Sequence, residues 1–166
     1  NVVLNRRLAA AEEMIAENGG KIQINELTYS GSADSVKTIA RASGLGSSIQ
    51  LGNPDTPTAI KLRGGGATGM PLVLAENGGL VHFINTSLTN DNTNSIGIKV
   101  TDGSVAWLEN SSISVPGTVS DGIAFSESNA GISDHTRINV QLNNTVVTSA
   151  SGSALVAKQG LGTFNV

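Results

Sequence analysis

Three short strand-like segments recur in the same order along the chain, and this recurrence limits the possible folds more than any other feature. One segment has Asn followed by hydroxyl and aliphatic residues, and its copies at Asn85, Asn110 and Asn144 are separated by 25 and 34 residues. A second segment follows each Asn and a third precedes it. The second segments are 95–100, 121–125 and 152–156, and the third segments are 79–83, 103–107 and 136–140. Repeats of this length built from three short strands are typical of a β-solenoid.

Apolar and polar residues alternate within these segments, as in Lys21-Ile22-Gln23-Ile24 and Ser48-Ile49-Gln50-Leu51. This period of two is that of a half-buried strand. One coil cannot bury its own apolar side chains, so neighbouring coils must stack to close the core. Aliphatic side chains suit such a narrow core, in agreement with an aromatic content of 3%. We therefore predict an all-β fold, a right-handed parallel β-helix with about six coils, over residues 19–166.

The corners of the coils are predicted from residues that favour tight turns. About two residues in five are Gly, Asn, Ser or Thr. Asn tolerates the left-handed conformation and forms local hydrogen bonds, so the repeated Asn residues are predicted to be coil corners. The same reading applies to the N-glycosylation sequons that begin at Asn85, Asn110 and Asn143. The unequal spacing predicts longer loops in some coils, with 115–120 and 127–136 as candidates.

The N-terminal segment has a different pattern. Between Val2 and Glu17, the residues Leu4, Leu8, Ala11 and Ile15 are spaced as on one face of a helix. Asn18-Gly19-Gly20 then provides a helix stop, because Gly readily adopts the left-handed conformation beyond a helix end. We predict a short N-terminal α-helix within residues 1–18 that caps the open end of the β-helix.

A β-barrel or β-sandwich is the main alternative fold. Such folds use hairpin turns at short spacing, preferably Asn-Gly or Asp-Gly. The sequence has these dipeptides at Asn18, Asn77, Asp102 and Asp121. The constant order of the three segments and the 25-residue offset between Gly97 and Gly122 favour the solenoid.

Composition excludes several classes of function. The net charge is −3 with no basic cluster, so nucleic-acid binding through phosphate neutralisation is not expected. The chain has no Cys, which excludes disulfide scaffolds and thiol chemistry. No apolar run is long enough for a membrane-spanning helix. The sequence shows neither an initiator Met nor a signal peptide, so we expect an excised or processed piece, from which an export signal can have been removed.

The ionisable residues do not form a recognisable catalytic motif. Polysaccharide-cleaving β-helices need carboxylates that converge with a basic residue or a metal ion. The candidates here are Asp91, Asp102, Asp121, Asp134 and Arg137, which read as surface residues of corner loops. His82 and His135 are too far apart in sequence to suggest a metal site, and His82 is predicted to point outward from a strand. The glycines of 64–69 lack the Lys that a P-loop requires. We therefore assign no catalytic, cofactor-binding or metal-binding residue.

The segments also resemble the passenger domains of bacterial autotransporters of the pertactin-like type. The similar stretches are VAWLENSSI at 105–113, SDGIAF at 120–125, QLNNTVV at 141–147 and GLGTFNV at 160–166. The resemblance implies a right-handed parallel β-helix that is exported, threaded through an outer-membrane barrel and displayed on the cell surface or secreted. It also implies that membrane association depends on a barrel outside this chain. The absence of Cys agrees with threading, because a disulfide formed earlier would obstruct it.

From the resemblance we expect a non-enzymatic adhesin or virulence factor. Its partner would be a host-cell receptor, an extracellular-matrix component or a glycan. The loops 115–120 and 127–136 are the candidate contact regions. Two alternatives stay open, a β-helical polysaccharide lyase or hydrolase and a phage-tail-type β-helix that binds carbohydrate. A purely structural spacer is a further possibility.

Overall fold

A computed structural model describes residues 2–5, 14–30, 38–55, 60–64, 70–126, 138–159 and 163–166. All regular secondary structure in these ranges is β-strand. The strands are β1 (Val2–Asn5), β2 (Met14–Glu17), β3 (Lys21–Ile24), β4 (Leu27–Ser30), β5 (Ala40–Ser43), β6 (Ser48–Leu51), β7 (Ile60–Gly64), β8 (Pro71–Glu76), β9 (Leu80–Ile84), β10 (Thr86–Asn90), β11 (Ile96–Thr101), β12 (Val105–Glu109), β13 (Ser112–Val115), β14 (Asp121–Ser126), β15 (Ile138–Asn143), β16 (Val146–Ser149), β17 (Leu155–Gln159) and β18 (Thr163–Asn165).

The strands form three parallel sheets in which each strand pairs with the third strand before or after it. The first sheet has the order β1-β4-β7-β10-β13-β16, the second β2-β5-β8-β11-β14-β17 and the third β3-β6-β9-β12-β15-β18. Three successive strands therefore supply one strand to each sheet, and we call such a group a layer. For the described ranges, the prediction of an all-β fold of stacked parallel strands is confirmed. The arrangement is compatible with a β-solenoid, whereas the hairpins of a barrel or sandwich would pair neighbouring strands antiparallel.

The pairing register places apolar side chains above one another between layers. Leu88 of the first sheet pairs with Ile113, Ile98 of the second with Ile123, and Phe83 of the third with Leu108. All six side chains are at most 1% exposed. Each lies in one continuous apolar core enclosed by the three sheets. Burial of these side chains thus depends on residues about one layer away in the sequence, as expected when a single layer has too little apolar surface of its own.

The predicted N-terminal helix is wrong at both of its ends. β1 pairs with β4, and β2 pairs with β5 from Met14 to Glu17. Within β2, Met14 and Ala16 are buried while Ile15 is 45% exposed, which is the alternation of a strand. Backbone pairing with β5 and burial against the core outweigh the weak local preference for a helix. The intervening residues 6–13 lie outside the described part of the chain, and the domain boundary at residue 18 stays a prediction.

The corners predicted from the repeated Asn residues are confirmed. Asn85, Asn110 and Asn144 have φ angles of 52°, 47° and 45°, and each lies between a third-sheet strand and the next first-sheet strand. Asn is one of the few non-glycine residues that adopt this left-handed conformation readily. The reading of the three sequons as structural corners is therefore supported by the backbone.

Only one of the two predicted long loops contains extra residues. The connection from β10 to β11 spans 91–95 and that from β13 to β14 spans 116–120, so the expectation of extra length at 115–120 is wrong. By contrast, the connection from β11 to β12 spans 102–104, whereas that from β14 to β15 spans 127–137. The 34-residue spacing between Asn110 and Asn144 therefore arises in the connection from β14 to β15. The structure does not describe residues 127–137.

Core packing between layers predicts a large effect of truncating Phe125. Its side chain is fully buried, and Phe125 pairs with the equally buried Val100 of the preceding layer. Phe125→Ala should lower the free energy of unfolding by about 3–5 kcal/mol, because it removes buried surface and leaves a cavity. Urea denaturation followed by circular dichroism measures this change.

The matched control is Val146→Ala, because Val146 is also in a strand but is 62% exposed. The control should cost less than about 1 kcal/mol. Equal losses for the two variants would contradict the core described here.

Candidate binding surface

The outward side of the first sheet carries two rows of mostly hydroxyl side chains on β10, β13 and β16. Pairing places Ser87 beside Ser112 in one row, and Thr89, Ser114 and Thr148 side by side in the other. We call these five residues the hydroxyl rows. Their side chains point outward because they alternate with core residues such as Leu88 and Ile113. None of the five is ionisable at neutral pH, whereas Lys61 and Arg63 of β7 are the register partners of Ser87 and Thr89 on the other side of β10.

An open depression of about 220 Å³ lies where the chain turns into this sheet. Its lining is Asn85, Thr86, Ser87, Asn110, Ser111, Ser112 and Asn144. We call it the Asn depression. The left-handed backbone at each Asn places the amide side chains next to the first hydroxyl row. Among the side chains that the structure describes, the lining combines amide and hydroxyl groups without a carboxylate, ammonium, guanidinium or aromatic ring.

Buried hydrogen bonds hold the floor of the Asn depression. The Ser111 hydroxyl donates to the carbonyl oxygen of Glu109 over 2.8 Å and accepts from the backbone N–H of Thr86 over 3.1 Å. The Thr86 hydroxyl donates to the carbonyl oxygen of Ile84 over 3.2 Å. Since both side chains are buried, these bonds satisfy polar groups that would otherwise destabilise the corner.

At the outer rim of the Asn depression, some hydrogen-bonding atoms have no partner among the described residues. Asn144 Nδ2 donates to Asn110 Oδ1 over 2.8 Å. The Ser112 hydroxyl donates to the Ser87 hydroxyl oxygen over 3.2 Å. Among the residues that the structure describes, Asn110 Nδ2 and Asn144 Oδ1 have no protein partner. The rim thus offers a free donor and a free acceptor side by side.

Of the acidic residues singled out from the sequence, the three that the structure describes are not among the residues that line the Asn depression. Asp91 lies in the connection before the second-sheet strand β11, Asp102 directly follows β11, and Asp121 is the first residue of β14. Asp121 Oδ1 accepts a hydrogen bond from the backbone N–H of Ser153 over 3.1 Å, and Asp102 accepts one from the Thr101 hydroxyl. Asp102 thus contacts its neighbour in the chain, and Asp121 contacts the backbone of the next layer. Asp134, His135 and Arg137 lie outside the described residues.

Metal binding has no evident site in the described ranges. No three His, Asp or Glu side chains there are grouped so that they could hold an ion. The glycines of 65–69 lie outside these ranges, and Gly64 is the last residue of β7.

A second polar cluster lies on the outward side of the third sheet. His82 stacks on Trp107 of the next layer, with ring centroids 4.4 Å apart and an interplanar angle of 16°. His82 Nε2 is 2.7 Å from Glu109 Oε1, and the two side chains are 15% and 31% exposed. The prediction that His82 points outward is confirmed. The cluster itself was missed, although the 25-residue offset between His82 and Trp107 was a usable signal.

Comparison with known proteins gives no assignment. The chain matches no protein-family model, no curated protein and no solved structure. A helix with the length and apolar character needed to cross a membrane is not found among the described residues.

The stacked pair predicts a fluorescence signature, since Trp107 is the sole Trp of the chain. His82→Ala uncovers one face of the indole to water. We expect the emission maximum to move to longer wavelength by several nanometres.

Gln23→Ala is the matched control, because Gln23 lies in the same outward row of the third sheet, two strands away from His82. Its emission should equal that of the unmodified protein. An unchanged spectrum for His82→Ala would mean that the stacked pair is absent in solution.

Proposed function

We propose that the chain is part of a bacterial autotransporter passenger domain, displayed on the cell surface or secreted, that binds molecules of host or neighbouring cells. In this proposal the three sheets are the faces of a right-handed parallel β-helix of six coils. Two arguments support it: the resemblance of the repeat segments to pertactin-like passengers, and the strong right-handed preference of crossovers between parallel strands. Membrane association would depend on a barrel outside this chain.

The observation that carries the binding function is the combination of the hydroxyl rows with the Asn depression. Strand pairing on both sides fixes β10 and β13, so their outward groups have defined positions before a ligand arrives. Preorganised polar groups bind with a smaller loss of conformational entropy than mobile ones. Within the part of the chain that the structure describes, neither the rows nor the depression contains a carboxylate or imidazole that could serve as a general acid or base. This chemistry favours recognition over polysaccharide cleavage.

The predicted contact region 115–120 stays a candidate, although the connection 116–120 contains no insertion. This connection follows β13 and includes Val119, which is 69% exposed and has a φ of 54°. The left-handed conformation is unfavourable for a β-branched residue. Asn94 has a φ of 49° and occupies the corresponding corner one layer earlier, where Asn adopts this conformation at lower cost. An exposed apolar side chain at a strained position suits an adhesive contact. The longer segment 127–136 is a second proposed contact region.

The proposal predicts saturable binding of the purified chain to cells. Fluorescently labelled protein should bind cultured epithelial cells or bacterial cells, and an excess of unlabelled protein should displace it. Ser114→Arg places a bulky charge in the centre of the hydroxyl rows, and we expect about five-fold weaker binding, equivalent to about 1 kcal/mol. Flow cytometry measures both effects.

Gln50→Arg introduces the same side chain on the outward side of the third sheet and should leave binding unchanged. Absence of saturable binding to every cell type would favour the structural-spacer hypothesis. Equal losses for the two Arg variants would place the binding surface elsewhere.

A further inference from the structure

Two corners of the chain carry the same pentapeptide. AENGG occurs at 16–20 and again at 75–79, and it contains the two Asn-Gly dipeptides of the sequence, Asn18-Gly19 and Asn77-Gly78. Both copies join a second-sheet strand to a third-sheet strand, β2 to β3 in the first layer and β8 to β9 in the third. The two corners therefore share their local sequence and their place in a layer.

Asn followed by Gly is the dipeptide most prone to deamidation, because Gly has no side chain that hinders its backbone nitrogen. That nitrogen loses its proton and attacks Asn Cγ, and the Cγ–Nδ2 bond breaks with release of ammonia. Water then opens the cyclic imide at either carbonyl group, which gives Asp or isoaspartate. The net reaction consumes one water and releases one ammonia, and it needs no enzyme.

Both corners are tight turns with their central residues in the left-handed region. The φ angles are 54° and 81° at Asn18 and Gly19, and 54° and 85° at Asn77 and Gly78. In each turn the second Gly donates its N–H to the carbonyl oxygen of the Glu, over 2.9 Å in the first copy and 3.0 Å in the second. Both Asn residues are exposed, so water reaches their amides. Exclusion of water therefore does not protect these sites.

The attacking nitrogen is held by the next layer at both corners. Gly19 donates its N–H to Ser47 Oγ and Gly78 donates its N–H to Ser104 Oγ, each over 3.0 Å. Both serines are at most 1% exposed. Attack by the nitrogen requires loss of this bond, and a buried hydroxyl that loses its donor is left with an unsatisfied acceptor. The hydrogen bond between layers therefore opposes the first step of deamidation.

We infer that Asn18 and Asn77 are latent deamidation sites, kept intact by the Ser hydroxyl of the following layer. Wherever that layer separates from the corner, the Gly nitrogen is released and the reaction proceeds. The product carries a negative charge next to Glu17 or Glu76, and isoaspartate adds a methylene group to the backbone of the turn. Because the turn sets the start of β3 or β9, the modification weakens the stacking irreversibly.

The equivalent corners of the second and fourth layers lack this chemistry. The second layer has Gly44-Leu45-Gly46 between β5 and β6, and the fourth has Asp102-Gly103 between β11 and β12. Neither carries a side-chain amide that could lose ammonia. Among the described corners between these two sheets, Asn-Gly deamidation is thus confined to the first and third layers.

Peptide mapping by mass spectrometry, during incubation at mildly alkaline pH, tests this inference. In urea the two sites should deamidate at equal rates, because their neighbouring residues are identical. In the folded chain both should react at least about five-fold more slowly, as expected from the loss of one hydrogen bond. Amide hydrogen exchange of Gly19 and Gly78 should also be slower in the folded chain than in urea, and this readout requires no variant.

Ser104→Ala removes the acceptor at one corner only. It should speed deamidation at Asn77 about five-fold and leave Asn18 at its original rate. Ser47→Ala is the matched control with the opposite pattern, because it should speed Asn18 and leave Asn77 unchanged. A general loosening of the stack would instead speed both sites in each variant, so the crossed pattern identifies the two hydroxyls. Circular dichroism reports whether each variant is folded.

The inference is overturned if the folded chain deamidates as fast as the chain in urea, or if the Gly19 and Gly78 amides exchange equally fast in both. It is overturned as well if folded Ser104→Ala and Ser47→Ala leave both rates unchanged or raise both alike.

Discussion

Backbone pairing between strands that are far apart in sequence is the interaction on which the rest of this structure depends. Each strand hydrogen-bonds to the third strand before or after it, and the core closes only because the layers are held in register. A register shift of one residue would move the apolar side chains outward and the hydroxyl side chains inward. The core, the corners and the outward polar face are therefore consequences of one constraint.

The same constraint explains which parts of the fold could be predicted from sequence. The alternation of apolar and polar residues and the 25-residue offsets follow directly from stacking, so the parallel arrangement and the Asn corners were predictable. The predicted N-terminal helix was wrong at 2–5 and 14–17, which are strands, because local spacing does not report the partner strand. Met14 is buried through its position in β2, which pairs with β5. Long-range pairing of this kind overrides local propensity.

The candidate binding surface was only partly predictable. The sequons marked the three Asn corners, but the depression forms only when Asn110 and Asn144 are placed on adjacent layers. The hydrogen bond between their side chains decides which donor and which acceptor are left for a ligand. The stacked pair of His82 and Trp107 also depends on register between layers. A rigid scaffold thus places neutral amide and hydroxyl groups on one face, which supports the proposal of recognition through many weak polar contacts.

Engineered disulfides between layers test the in-register parallel stack most directly, because the chain contains no Cys of its own. In the double variant Ser87→Cys with Ser112→Cys, the two sites are register partners on adjacent parallel strands. Their separation of about 4.8 Å is within the Cα distance that a disulfide accepts. In the double variant Ser87→Cys with Ser114→Cys, the two sites are diagonal neighbours about 7–8 Å apart, which exceeds the Cα distance that a disulfide accepts. The account predicts rapid, intramolecular oxidation of the first pair and little of the second, as measured by mass spectrometry of protease-digested protein. Equal oxidation of both pairs, or preferential oxidation of the second, would contradict it.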